Sequence, residues 1–174
     1  MNKLIKAASI VVMALLSGCI KEGQNSTELK IGDSLPSFSI TMNDGSVVSD
    51  ASLKGRISLI MFFHTTCPDC QRTLPHMQKI YEEYKDNESV SFTLISREQK
   101  AEEINEYWRK NALSLPYSAQ ETRNIYNLFA SDRIPRVYIS NSKGIIQHIY
   151  TDDPTPTYED LKIVLEGCLQ SDNL

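Results

Sequence analysis

"RISLIMFFHTTCPDCQRTLPHMQKIYEEYKD", residues 56–86, decides the fold. Ile57 to Phe63 is an apolar run broken only by Ser58, dense enough for a strand covered on both faces. Beyond Cys67-Pro68-Asp69-Cys70, the residues Leu74, Met77, Ile80, Tyr81 and Tyr84 recur three and four apart, the spacing of an amphipathic helix. Pro68 suits the first helical turn, where a missing N–H costs nothing. Pro75 falls inside the helix and predicts a kink, because it removes one hydrogen bond and crowds the previous turn. Two cysteines two residues apart therefore stand where a buried strand gives way to a helix.

The remaining elements follow from the same kind of pattern. "SVSFTLIS", residues 89–96, is a strand. "KAEEINEYWRKN" is a helix that turns Ile104, Trp108 and Ala112 inward, and "TRNIYNLFA" is a further short helix. "RVYIS" and "GIIQHIY" are strands joined by the turn "NSKG". "TYEDLKIVLEGCLQ" closes the chain with Leu161, Val164, Leu165 and Cys168 on one helical face. Upstream, Asn43-Asp44-Gly45-Ser46 separates two short alternating runs and predicts a small hairpin. The strand–helix–strand unit requires a parallel pair with a right-handed crossover. The later strand–strand–helix unit adds an antiparallel edge. The expected architecture is a mixed sheet with helices on both faces, an α/β sandwich with an N-terminal hairpin extension.

The N-terminus reads "MNKLIKAASIVVMALLSGC". Lys3 and Lys6 precede an apolar run from Ala7 to Leu16, which is too short for a comfortable membrane span, and small residues follow; this is the layout of a secretory signal. "Leu16-Ser17-Gly18-Cys19" resembles the lipobox of bacterial lipoproteins, which implies cleavage before Cys19 and lipid attachment to it. The expected division is a signal peptide at 1–18, a polar tether at 19–29 and one domain at 30–174. The expected location is the cell envelope, with the domain facing the periplasm or the exterior and held to a membrane by the lipid. The 18 Lys and Arg against 22 Asp and Glu make the chain mildly acidic, which argues against a nucleic-acid partner. A single domain of this size is expected as a monomer.

Outside the cytoplasm thiols can oxidise and stay oxidised. Cys67, Cys70 and Cys168 are too few and too unevenly spaced for a disulfide-stapled mini-protein. Zinc usually needs four ligands, and His64 and His76 flank the pair at poor spacing, so no metal is assigned. A structural disulfide closing so short a loop would constrain the unfolded chain little. Cys168 falls on the inward face of its helix and reads as a buried thiol.

"IGDSLPSFSITMNDGSVVSDASLKGRISLIMFFHTTCPDC" resembles the start of the extracytoplasmic thiol-disulfide oxidoreductases of the TlpA/ResA type, which are related to the AhpC/TSA redoxins. The shared marks are Gly32-Asp33 with Pro36 and Phe38, the Asp44-Gly45 turn, Leu53-Lys54-Gly55, the apolar strand and the C-x-x-C. "DRIPRVYISNSKGII" resembles the family's Ile-Pro and following turn. The resemblance spans about residues 29–170 and implies a thioredoxin-like three-layer sandwich with a cis Ile134-Pro135 bond facing the cysteines. Two departures stand out. Thioredoxins carry a buried acid where this chain has Met61, and the TlpA/ResA type often carries Glu where it has Thr73. The Pro and Thr before a peroxidatic Cys of peroxiredoxins correspond to Ile60 and His64, so that motif fails.

The chemistry this implies is thiol–disulfide exchange with protein substrates, re-reduced by an upstream electron donor, using the Cys67–Cys70 pair and no other cofactor. Cys67, beside unpaired helix N–H groups, is the expected attacking thiolate, and Cys70 the resolving one. Asp69 would oppose thiolate nearby, make the pair less oxidising and so favour a reductase. His64 could exchange a proton near neutral pH. Arg136 could sit beside the thiols or bind an acidic partner, and Arg97 and Glu98 end the neighbouring strand at the same sheet edge. A peroxide reductase sharing the fold and a non-enzymatic metal- or thiol-binding envelope protein are the competing readings.

Overall fold

The computed structural model describes residues 28–172. The signal segment and Cys19 lie outside the described residues. Glu28 and Leu29, which the sequence pattern assigns to the tether, belong to the domain. The Leu29 side chain is buried and its N–H donates to Phe129 O at 3.0 Å.

Five strands form the central sheet in the order β5(Tyr117–Ser118), β4(Val90–Ser96), β3(Ile57–Phe63), β6(Arg136–Ser140), β7(Ile146–Tyr150). All seven residues of β3 are buried, so its backbone groups must be satisfied by strands on both sides. β4 pairs with it in parallel, from Ile57 opposite Val90 to Phe63 opposite Ser96. β6 pairs antiparallel, from Ser58 opposite Ser140 to Phe62 opposite Arg136. The parallel pair is bridged by helix α2(Pro68–Tyr84), which passes through Pro75 without ending.

The two faces of the sheet are covered differently. On one lie α2, α3(Ala101–Lys110) and α4(Tyr158–Asp172). Phe63 meets Trp108 of α3 with ring centroids 5.1 Å apart, Tyr81 of α2 meets Phe92 at 5.3 Å, and Tyr84 donates to Glu166 of α4 at 3.0 Å. On the other, Phe62 packs on Tyr126, Phe129 and Tyr138, and Phe129 packs on Phe38.

Phe38 belongs to an N-terminal strap that crosses this second face and bonds to both edge strands. At one edge Gly32 N–H donates to Ile146 O and Ile146 N–H to Asp33 O, each at 2.9 Å. At the other, Asn43 exchanges bonds with the Tyr117 backbone, and Ser118 Oγ donates to Thr41 O. Between them runs the expected hairpin, β1(Ser39–Thr41) with β2(Val47–Ser49), turned by Gly45 at φ 85°. A one-turn helix α1(Asp50–Leu53) follows, closed by a Ser49–Ser52 capping box.

Two local readings change. "TRNIYNLFA" shortens to a 3-10 turn at Tyr126–Leu128, from which the Tyr126 hydroxyl reaches the carbonyls of Asp132 and Arg133. Ala112 is exposed at φ 52°, just past the end of α3, and Leu115 takes the inward place by accepting the Trp108 indole N–H at 2.9 Å.

Phe62→Ala removes the ring on which three aromatic neighbours pack. It should cost about 3–5 kcal/mol of folding free energy, the usual penalty for a fully buried Phe, read from urea unfolding.

Candidate active site

Antiparallel pairing of β6 brings its start to the edge where β3 ends, and the two pieces of the site meet there. The chain leaves β3 through His64, Thr65 and Thr66, reaches Cys67 and enters α2. Cys67 is the N-cap, extended at φ −78° and ψ 119°, and Pro68 takes the first helical position. The opposing loop holds Ile134 and Pro135, joined by a cis peptide bond, with Arg133 before them at φ 62°.

The two thiols differ sharply. Cys67 is half-buried, and its S–H donates to Ile134 O at 3.5 Å. Cys70, on the inner side of the first helical turn, is fully buried. Burial pushes the Cys70 thiol well above the ordinary thiol range, and Cys67 beside it adds to the rise. The His64 backbone and the Arg97 guanidinium oppose the shift. The thiol next to the surface is thus the one at the helix start, and the deeper one is held protonated.

The loop before Cys67 is closely tied. Thr65 N–H donates to Gln99 Oε1 at 3.0 Å, Gln99 Nε2 donates to Thr65 Oγ1, and Gln71 Nε2 donates to Thr65 O at 2.7 Å. Thr66 N–H donates to His64 Nδ1 at 3.2 Å and Cys67 N–H to His64 O at 3.1 Å. His64 Nδ1 is therefore an acceptor, and in the neutral ring the proton sits on Nε2. The backbone donors of the first turn, on Asp69 and Cys70, are the ones left to stabilise a Cys67 thiolate. A cleft of about 450 Å³ opens beside this loop, lined by Thr65, Thr66 and Gln71 and by Glu103, Glu106 and Tyr107 of α3.

Other residues singled out in the sequence take different places. Asp69 is ion-paired to Arg72, three residues on, which offsets the negative field expected to act on Cys67. Arg136 is buried and ion-paired to Glu28, at 2.6 Å, and Asp132, at 3.6 Å, and not to the thiols. Arg97 stacks on the Tyr126 ring with 5.1 Å to its centroid, and Glu98 pairs with Arg123 at 3.4 Å. Of the two positions where related proteins carry acids, Met61 is buried in β3, and Thr73 is buried and donates to Asp69 O at 2.9 Å. Cys168 is buried on α4, and burial raises its pKa. Among the described residues no group of three or more His, Cys, Asp and Glu side chains is gathered as a metal site.

Pattern reasoning missed Gln99 and Tyr126. Both are polar groups that hold the two site loops from sequence-distant positions, and no periodicity marks them.

This is a thioredoxin-like fold with paired cysteines at the start of its central helix. The chain belongs to the AhpC/TSA family, whose pattern matches residues 31–149. It is 24% identical over 126 residues to the thiol-disulfide oxidoreductase ResA of Halalkalibacterium halodurans, covering 72% of this chain and 71% of that protein. It is 27% identical to the thioredoxin-like protein YneN of Bacillus subtilis, covering 78% and 79%. In structure it matches a thioredoxin-family thiol:disulfide interchange protein from Chlorobium tepidum with a TM-score of 0.69, at 21% identity over 82% of this chain and 99% of that one. StoA from Bacillus subtilis matches with a TM-score of 0.64, at 22% identity over 74% and 96%.

The buried Cys70 thiol should make the reduced protein sensitive to alkali. The unfolded chain releases this proton from about pH 8.5, while the folded chain keeps it, so stability is full below that pH and falls above it. The limiting slope is about 1.4 kcal/mol per pH unit. Urea unfolding of the reduced protein between about pH 9 and 10 should show the decline, and Cys70→Ala should flatten it.

Proposed function

We propose that this protein is an extracytoplasmic thiol-disulfide oxidoreductase that reduces protein disulfides through Cys67 and Cys70. The observation that carries this reading is the asymmetric pair: a half-buried thiol at a helix start, against the Ile134–Pro135 loop, above a fully buried second thiol. The ResA relatives, by their name thiol-disulfide oxidoreductases, support it.

The reaction balances on the protein's own groups. Cys67 loses its proton, swings from the Ile134 carbonyl toward the Asp69 and Cys70 N–H groups, and attacks one sulfur of the substrate disulfide. That S–S bond breaks, a Cys67 mixed disulfide forms, and the first substrate sulfur leaves as thiol after taking up a proton. Cys70 then attacks the Cys67 sulfur. The second substrate thiol leaves with the proton Cys70 gives up, and the Cys67–Cys70 disulfide remains. The substrate has gained two electrons and two protons, and an upstream dithiol donor restores the pair.

Direction follows from how little the reduced form gains as thiolate. Strong oxidants owe their potential to a stabilised reduced state. Here Cys70 is held neutral by burial and the Cys67 S–H is aimed at a carbonyl, so a reducing pair is favoured. Asp69, paired to Arg72, contributes less to this than its position suggests. A peroxide reductase would need a peroxidatic motif that Ile60 and His64 replace. Lipid attachment at Cys19 would hold the domain against a membrane; no helix among the described residues is long and apolar enough to cross one.

Redox titration against glutathione or dithiothreitol should place the pair nearer thioredoxin, at about −270 mV, than DsbA, at about −120 mV. Asp69→Asn should move it by less than about 30 mV, the equivalent of one pKa unit. A potential at the oxidant end would reverse the assigned direction. In cells, Cys70→Ser should accumulate proteins disulfide-linked to Cys67. Recovery of none, with Cys67→Ser leaving protein-disulfide reduction unchanged, would refute the exchange reading. Cys19→Ala should lose the membrane fraction, and normal membrane retention would remove the anchor.

A further inference from the structure

We propose that Gln99 is a positioning residue for Cys67, acting through Thr65. The proposal rests on the exchange reading above and deepens it.

Gln99 lies in the loop between β4 and α3, and its side chain is buried at 2% exposure. A buried amide is costly unless its donors and acceptor are matched. This one is matched to a single residue: it accepts from the Thr65 N–H at 3.0 Å and donates to the Thr65 hydroxyl. With Gln71 donating to the Thr65 carbonyl, all three polar groups of Thr65 are bound, two residues before the attacking sulfur. The contact joins the loop after β3 to the loop after β4 across the sheet edge where the site lies.

Gln99 is itself set in place. Its N–H donates to Gln120 O at 2.9 Å, its carbonyl accepts from Ser96 Oγ at 3.4 Å, and Gln120 N–H donates to the same Ser96 Oγ at 2.8 Å. The residue before it, Glu98, adopts φ 58°. A side-chain-bearing residue in the left-handed region costs of order 1 kcal/mol and persists where the surroundings demand it. That conformation turns the chain so that residue 98 is exposed and residue 99 points inward.

The consequence for chemistry is orientation. The Thr65, Thr66 and Cys67 N–H groups are all committed, the first to Gln99 and the others to His64, so a Cys67 thiolate depends on the Asp69 and Cys70 donors. Those donors serve it only if Cys67 leaves the strand at the right angle. Misplacing a reacting atom by about 1 Å can cost a hundredfold in rate.

The test uses the reduced full chain, with a small protein disulfide as substrate and iodoacetamide as the thiol probe. Gln99→Met keeps the length and removes both hydrogen bonds. It should slow protein-disulfide reduction about tenfold and shift the rise of Cys67 alkylation to higher pH by about half a unit or more, with circular dichroism unchanged. Thr65→Ser keeps every bond and should stay within about twofold of wild type. Thr65→Val loses only the hydroxyl contact and should fall between them in rate and in pH profile. If Gln99→Met fails to fold, the ordering of Thr65→Ser above Thr65→Val decides in its place. A folded Gln99→Met with wild-type rate and pH profile, or Thr65→Val indistinguishable from Thr65→Ser, overturns the positioning role. Failure of the wild-type protein to reduce the substrate at all would instead strike the exchange reading itself.

Discussion

Everything at the site depends on β3 being buried on both faces. A strand with no exposed residue has no water to bond its backbone, so both its edges must be paired. β4 meets that demand on one side in parallel and needs a crossover helix to do so; this is α2, and its start must lie where β3 stops. β6 meets it on the other side antiparallel, so its beginning arrives at the same edge. Cys67 and the Ile134–Pro135 loop face each other because of how the backbone of β3 is satisfied. The thiols add little to that frame.

The same burial explains the polarity change at residue 64. Within β3 side chains are in contact with other side chains on both sides, and polar groups there would be stranded. From His64 onward the chain emerges at the sheet edge, and Thr65, Thr66 and Cys67 each have their N–H bound by a neighbour in the loop or by Gln99. A reactive thiol needs such a collar. Left loose, it would lose the orientation that makes a helix start useful to a thiolate.

Local features were legible in the sequence and long-range polar ties were not. The buried run 57–63, the helix after Cys67 and the Asn43–Ser46 hairpin declare themselves by composition and period within a dozen residues, and each stands as read. The TlpA/ResA-type resemblance pointed to Pro135 as the residue opposite the cysteines, which periodicity alone does not show. Thr65 and Gln99 are 34 residues apart, and Glu28 and Arg136 still further; a polar pair at such a distance leaves no pattern. Asp69 with Arg72 is a different kind of miss. An acid and a base three apart on a helix are neighbours by geometry, so the offsetting of the Asp69 charge could have been read from the sequence.

The absence of an acid at Met61 and Thr73 shapes how exchange would proceed here. Met61 lies in the wall of β3, where an unpaired carboxylate would be strongly disfavoured, and Thr73 turns its hydroxyl back onto its own helix. No side chain at either place can take the Cys70 proton. In the mixed disulfide the nearest proton acceptor supplied by the reaction is the departing substrate sulfur. Cys70 is a strong nucleophile once ionised, but burial keeps it protonated, and attacking power rises with thiol basicity more slowly than the thiolate fraction falls. In an exchange of this kind, a more acidic thiol on the partner is the better leaving group for the resolving attack.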